Sequence, residues 1–145
     1  MSGSWVLDSE ALSQVVRDER AMAVRLAVAR KRDVRVALCA ATIIEADHDG
    51  VHPARLAWVR SQFTVLPVDR AGAHTASGLL KAAGLHGHKY AIDAMVVATA
   101  LSMPDRPVDI LTSDPQDLSA ILGERLDTAE QHGARDASKV RVIAL

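Results

Sequence analysis

The sequence of 145 residues contains a single cysteine and few aromatic side chains. One cysteine, Cys39, excludes an intrachain disulfide, and its place in an apolar run suits a small buried residue. A reducing compartment is the simplest setting for such a chain. Aromatic residues make up 3% of the sequence, so aliphatic side chains must build the core.

Long apolar runs and secretory segments are also lacking. No stretch of about 18 apolar residues occurs, so no transmembrane helix is expected. Residues 1–4 do not start a basic region followed by a long apolar one, as a secretory signal would, and we expect a cytoplasmic protein. The formal net charge of -1 argues against binding nucleic acid by bulk charge alone, but it leaves a local basic surface open.

The sequence gives little support for a glycine-rich phosphate-binding loop or for a zinc site. The glycines around residues 84–87 lack the preceding strand and the following Lys-Ser/Thr of a phosphate-binding loop. The histidines His48, His52, His86 and His88 could suggest zinc, but no second cysteine accompanies them. We predict that these histidines lie in loops, where solvated histidine is the common case.

Short apolar runs alternate with helical patterns along the chain. We predict strands over residues 5–7, 34–39, 63–68, 108–111 and 140–145. We predict helices from residue 9, over 19–31 with Asp18 as its cap, over 40–46, 54–62, 70–83 and 90–101, and from 118 to 122. Residues 123–138 are polar and are predicted to be irregular in part. This alternation indicates one α/β domain over residues 1–145, with a mostly parallel sheet of about five short strands and helices on both faces.

The predicted helix over residues 90–101 contains one carboxylate, Asp93, which we place in its first turn. The helix is apolar nearly all the way round and is therefore expected to be buried. A lone ionised carboxylate in such a setting is costly unless it is paired, hydrogen-bonded, protonated or bound to a metal. Because no Lys or Arg follows within the helix, its partner must come from elsewhere in the chain.

Three more acidic residues fall where the site of a parallel sheet would lie. Asp8 and Asp114 each follow an apolar strand, and Glu45 lies in a helix just after a strand. Each has a plainer interpretation. Asp8 and Asp114 could cap the helices that follow them, with Pro115 in a first helical position, and Glu45 could be a solvated residue.

Together, however, the four carboxylates point to a cation. Carboxylates brought close repel one another, and Mg²⁺ and Mn²⁺ prefer such oxygen ligands. A cation so held can lower the pKa of a bound water and clamp phosphate oxygens, which is the chemistry of phosphodiester hydrolysis.

The order of these segments resembles the PIN domain, and in particular the VapC-type ribonuclease toxins of toxin–antitoxin pairs. The resemblance covers essentially the whole chain, and its most specific parts are DAMVVATA at residues 93–100 and LTSDPQDL at 111–118. It implies a homodimer, an RNA substrate, and a small antitoxin that covers the site.

By the same resemblance, an acidic quartet holds Mg²⁺ or Mn²⁺ in a metal-dependent endoribonuclease. Asp8, Glu45, Asp93 and Asp114 would form that quartet. Glu45 could orient the attacking water, and Asp117 would add an outer carboxylate. Thr112 or Ser113 would supply a hydroxyl near the site.

Two alternatives stay open. A phospho-acceptor receiver could use Asp69, which follows the third strand, although no suitable Lys follows the fourth strand. A PIN-like domain could also serve only as a non-catalytic platform. For the nuclease, seven basic residues between Arg17 and Arg35, against three acids, are the expected contacts to RNA phosphates.

Overall fold

The structure is a computed structural model that describes residues 2–128 and 134–145. A five-stranded, entirely parallel sheet runs through it in the order β3-β2-β1-β4-β5. The strands are β1 (Ser4–Leu7), β2 (Arg35–Cys39), β3 (Thr64–Leu66), β4 (Val108–Thr112) and β5 (Val140–Ala144). The predicted α/β fold with a central parallel sheet is therefore confirmed.

Helices connect the strands and cover both faces of the sheet. They are α1 (Ser9–Val16), α2 (Arg20–Lys31), α3 (Ala40–Ala46), α4 (Pro53–Ser61), α5 (Arg70–Ala83), α6 (Gly87–Ser102) and α7 (Pro115–Leu122). Within the described ranges, no helix is long and apolar enough to cross a membrane.

The sheet is buried from both sides because successive side chains of a strand point to opposite faces. Val6 and Ile110 pack into the core built with α5, α6 and α7. Their neighbours Leu7 and Leu111 pack into the second core, which α1, α2 and α4 cover. Every residue of β4 is buried, as expected for a central strand of a parallel sheet.

The strand order opens a crevice at one edge of the sheet. The chain passes from β1 to β2 on one side, and β4 pairs with the other side of β1. The connections therefore diverge between β1 and β4, and in such sheets ligands bind beyond the carboxyl ends of the strands at this switch point. Asp8 follows β1 and Asp114 lies two residues beyond β4, so both acids lie at this edge.

Several predicted boundaries were wrong. Asp18 does not cap α2, because it has a left-handed backbone (φ 56°) and Glu19 occupies the N-cap position. Helix α6 begins at Gly87, three residues earlier than predicted, since its first turn is polar and carries no apolar pattern. Helix α7 begins at Pro115 rather than at residue 118, as proline suits a first helical turn.

The third strand is shorter than the predicted 63–68, because Pro67 has no N–H to continue the ladder. In the polar region 123–138, a 3-10 helix forms over Gly123–Arg125, and Leu126 makes an isolated bridge to Val140. Residues 129–133 of that prediction lie outside the described residues.

Candidate active site

The four acids that the sequence singled out line one cleft at the carboxyl edge of the sheet. Asp8, Glu45, Asp93 and Asp114 surround a volume of about 710 Å³, and Asp117 lines the same cleft. The acids come from five separate elements or their ends, which are brought together only by the strand order.

Asp8 is the most buried of these acids, with 5% of its surface exposed. One carboxylate oxygen accepts the Ala11 N–H at 2.8 Å and so caps α1, which confirms the capping interpretation. The other oxygen accepts the Ser113 N–H at 3.1 Å, and the Thr112 hydroxyl also hydrogen-bonds to this carboxylate. Burial nevertheless outweighs these bonds and raises the pKa of Asp8. Asp8 therefore both starts a helix and faces the cleft.

Asp93 lies in the second turn of α6, not in its first turn as predicted, because the helix starts at Gly87. Burial, followed by the charges of Asp114, Asp117, Glu45 and Asp8, raises the pKa of Asp93 to about 6. The acids that surround Asp93 carry the same charge and therefore do not compensate it. The cleft holds an excess of negative charge that its own side chains do not balance.

Asp114 occupies the N-cap position of α7, yet its side chain makes no capping hydrogen bond. The capping interpretation is therefore wrong for Asp114. Its backbone N–H instead donates to the Thr112 hydroxyl at 2.8 Å, and its exposed carboxylate lines the cleft. Asp117 follows in the first turn of α7 and faces the same cleft.

Glu45 is exposed on α3, as the solvated interpretation would have it, but it is not without contacts. Its carboxylate accepts a hydrogen bond from the Ser9 hydroxyl at 2.5 Å, and Ser9 is the first residue of α1. This bond joins α3 to the start of α1, beside Asp8. Glu45 is therefore held at the cleft rather than turned away from it.

The donor set fits a hard divalent cation. The cleft offers six carboxylates, of which Glu10 is paired with Arg17, and oxygen ligands of this kind suit Mg²⁺ and Mn²⁺. A cation would also relieve the repulsion that raises the pKa of Asp93. Across residues 2–128 and 134–145, however, no three His, Cys, Asp or Glu side chains already form a closed coordination group. The fit rests on the chemistry of the donors and on their charge.

The sequence analysis missed two residues that line the cleft, His88 and Lys89. We had placed both before the helix, in a loop, whereas they belong to the first turn of α6. The spacing from Asp93 was the available indication, because residues four apart on a helix share a face. With α6 started at Gly87, the sequence alone would have put Lys89 beside Asp93.

The basic residues between Arg17 and Arg35 do not line the cleft in this structure. Arg17 pairs with Glu10 at 2.7 Å and with Glu19. Arg35 starts β2 and pairs with Asp105 at the opposite, amino edge of the sheet. Arg35 therefore lies away from the cleft, whereas Arg17 lies beside Glu10, which belongs to the cleft lining, and contact of this stretch with RNA phosphates stays a prediction.

The receiver alternative does not fit the structure. Asp69 follows β3, which is an edge strand, whereas an acceptor aspartate must end a central one. Its side chain accepts the Gly72 N–H at 2.7 Å and caps α5, as the sequence predicted. Asp69 also does not line the acidic cleft.

The histidines give no zinc site in the described part of the chain. Nδ1 of His48 accepts the Gly50 N–H, and Nδ1 of His52 accepts the Ala54 N–H at the start of α4. Cys39 is fully buried at the end of β2, as predicted for a core residue.

Comparison with known proteins supports the fold. No protein-family model matches the sequence, and no curated protein matches it. Among solved structures, a chain in the crystal structure of VapBC2 from Rickettsia felis, bound to a DNA fragment from its promoter, matches with a TM-score of 0.60. The match covers 80% of this chain and 91% of that chain, at 11% sequence identity. At that identity the likeness concerns the fold. The chain has a PIN-like fold, as the sequence resemblance predicted.

Proposed function

We propose that this chain is a metal-dependent endoribonuclease that hydrolyses RNA phosphodiester bonds as the toxin of a VapC-type toxin–antitoxin pair. The observation that carries the proposal is the acidic cleft at the switch point of the sheet, where Asp93 is surrounded by four other carboxylates. Structural residues rarely gather uncompensated charge in this way, and such clusters mark functional sites.

Asp8, Asp93 and Asp114 would hold Mg²⁺ or Mn²⁺, Glu45 would complete the cluster, and Asp117 would act from the outer shell. The bound cation would supply an activated water and a clamp for phosphate oxygens. The fit rests on oxygen donors from five carboxylates around one cleft.

The neighbouring residues of the chain set the donors in place. The buried Thr112 hydroxyl bonds to Asp8 and accepts the N–H of Asp114, so one side chain fixes two of the proposed ligands. The Ser9 hydroxyl holds Glu45, which we assign to orienting the attacking water. Such supporting hydrogen bonds typically matter 10-fold to about 100-fold for affinity or activity at a metal site.

We further propose that the partners are RNA, a separate antitoxin protein and a second copy of the chain, in the cytoplasm. The antitoxin is supported by the similar structure, which was solved as a VapBC2 complex. The homodimer rests on the sequence resemblance.

The test is cleavage of a mixed RNA pool by the purified chain with Mg²⁺, with Mn²⁺ and with a chelator. Asp93→Asn removes one charge with little change of shape, and we expect it to lower the cleavage rate at least about 100-fold, a loss of roughly 2.7 kcal/mol of transition-state stabilisation. Asp49→Asn is the matched control, because Asp49 is exposed and does not line the cleft.

Metal-dependent cuts that Asp93→Asn loses and Asp49→Asn keeps would support the nuclease. Cuts that persist in Asp93→Asn would reject the assignment of this cleft. If the folded, antitoxin-free chain makes no cuts while its fold is intact by circular dichroism, the non-catalytic platform becomes the better interpretation.

A further inference from the structure

The acidic cleft contains a single lysine or arginine among the described residues that line it, Lys89. An RNA strand is itself polyanionic, so a cleft lined by six carboxylates would repel it. A metal ion would offset part of this charge at the point of cleavage. The flanking phosphates of the strand still need a cationic contact, and the chain offers one candidate inside the cleft.

The placement of Lys89 suits that role. It lies in the first turn of α6, four residues before Asp93, so both side chains share one face of the helix. Both residues line the cleft. The backbones of Lys89 and Asp93 are about one helical turn apart, so a phosphate bound by Lys89 would lie in the same cleft as the acids.

The ammonium group of Lys89 is not paired with the described carboxylates around it. Within residues 2–128 and 134–145, it forms no ion pair with an acidic side chain. Its ammonium instead lies 5.2 Å from the centre of the Tyr90 ring, within the range of a cation–π contact. Tyr90 is half-buried and packs against the core, so the ring is a fixed support at the rim of the cleft.

We infer that Lys89, supported by Tyr90, binds an RNA backbone phosphate beside the scissile one, and that it is a substrate-binding residue of this site. The inference rests on the proposed function. A single ammonium contact to a phosphate carries no base information, so Lys89 would strengthen binding uniformly across sequences.

The test measures binding separately from cleavage. Fluorescence anisotropy of a labelled single-stranded RNA of mixed sequence is recorded from 50 to 400 mM KCl, in an Asp93→Asn background that suppresses cutting. Lys89→Ala should weaken binding by about threefold to tenfold and lower the slope of log affinity against log salt by about 0.7, the value for one contact to single-stranded nucleic acid. Lys89→Arg, which keeps the charge, should restore most of both.

Lys81→Ala is the matched control, because Lys81 is exposed in the last turn of α5 and does not line the cleft. In the otherwise unchanged chain, Lys89→Ala should raise KM more than it lowers kcat. An unchanged salt slope in Lys89→Ala would overturn the inference, as would an equal loss in Lys81→Ala, which would mean diffuse attraction. Failure of the unmodified chain to cut RNA would reject the proposed function, whereas the salt slopes would still report on Lys89.

Discussion

Acidic residues lie in two regions of the same sheet, and the charges that surround them differ in sign between the two regions. At the carboxyl edge, the acids of the cleft face one another, and their mutual charge helps raise the pKa of Asp93. Elsewhere on β4 and β5, Asp109 lies between two guanidinium groups, with Arg135 on one carboxylate oxygen and Arg141 on the other at 2.8 Å. The nearby Asp127 also pairs with Arg135.

Under the proposed function, this difference separates structural acids from functional ones. Asp109 and Asp127 are 8% and 6% exposed, and each has a guanidinium partner that compensates its burial. Arg135 and Arg141 thereby tie the segment after α7 and the edge strand β5 to β4. In the cleft, none of the five acids of the proposed site has such a guanidinium partner among the described residues; they are Asp8, Glu45, Asp93, Asp114 and Asp117.

The same substitution of asparagine for aspartate should have the largest effects of those considered, and the effects should differ between the two regions. Asp114→Asn should lower RNA cleavage at least about 100-fold and leave the free energy of unfolding within about 0.5 kcal/mol, because its exposed carboxylate caps no helix. Asp109→Asn should instead destabilise the fold by about 2–3 kcal/mol, since it leaves Arg141 without its charge partner and Arg135 with Asp127 alone.

Urea unfolding and cleavage rates per folded molecule measure both effects. Asp49→Asn serves again as the surface control. A stable Asp109→Asn variant would contradict the structural role of Asp109. A destabilised Asp114→Asn variant with full activity would contradict the functional role of Asp114.

A smaller effect is expected from the residue that links the cleft to the core. Thr112→Val removes a buried hydroxyl that bonds to Asp8 and accepts the N–H of Asp114. We expect a cost of about 1 kcal/mol in unfolding free energy and a 10-fold to about 100-fold loss of activity. Thr42→Val is a useful comparison, because Thr42 is equally buried and its hydroxyl donates only to the Cys39 carbonyl. Equal activity in Thr112→Val and Thr42→Val would reject a role for Thr112 in positioning the acids of the site.

The smallest effect concerns pH in the metal-free chain. The pKa of Asp93 is raised by folding from 3.8 to about 6, so the folded state binds a proton more tightly than the unfolded state does. The resulting stabilisation is fully present below about pH 4 and is lost as pH rises through about 6. Because Asp93 is partly exposed, we expect no more than about 1 kcal/mol from it.

Urea unfolding of the metal-free chain between pH 4 and 7.5 measures this contribution of Asp93. It is the difference in the free energy of unfolding between the unmodified chain and Asp93→Asn at each pH. The variant should lack the loss of stability between about pH 4 and pH 6. Added Mg²⁺ should reduce the difference at neutral pH. A variant with the same pH profile as the unmodified chain would mean that Asp93 is not repelled by its neighbours.

Local patterns predicted much of this architecture. Each of the five runs predicted as a strand contains one, because aliphatic runs between turn residues suit a sheet buried on both faces. Asp8 and Asp69 were recognisable as caps from their places before apolar helical patterns. The start of α6 was missed because a polar first turn offers no periodicity to read.

The sequence by itself determined that Asp8 and Asp114 follow strands and that Asp93 lies in an apolar helix, and hence that these three were candidates for one acidic site. Only the tertiary structure decided that these acids, with Glu45 and Asp117, line the same cleft, while Asp69 and Arg35 lie elsewhere. The physical reason is that strand order is set by packing between distant segments. Local periodicity fixes where each strand and helix lies, but not which strand ends become neighbours.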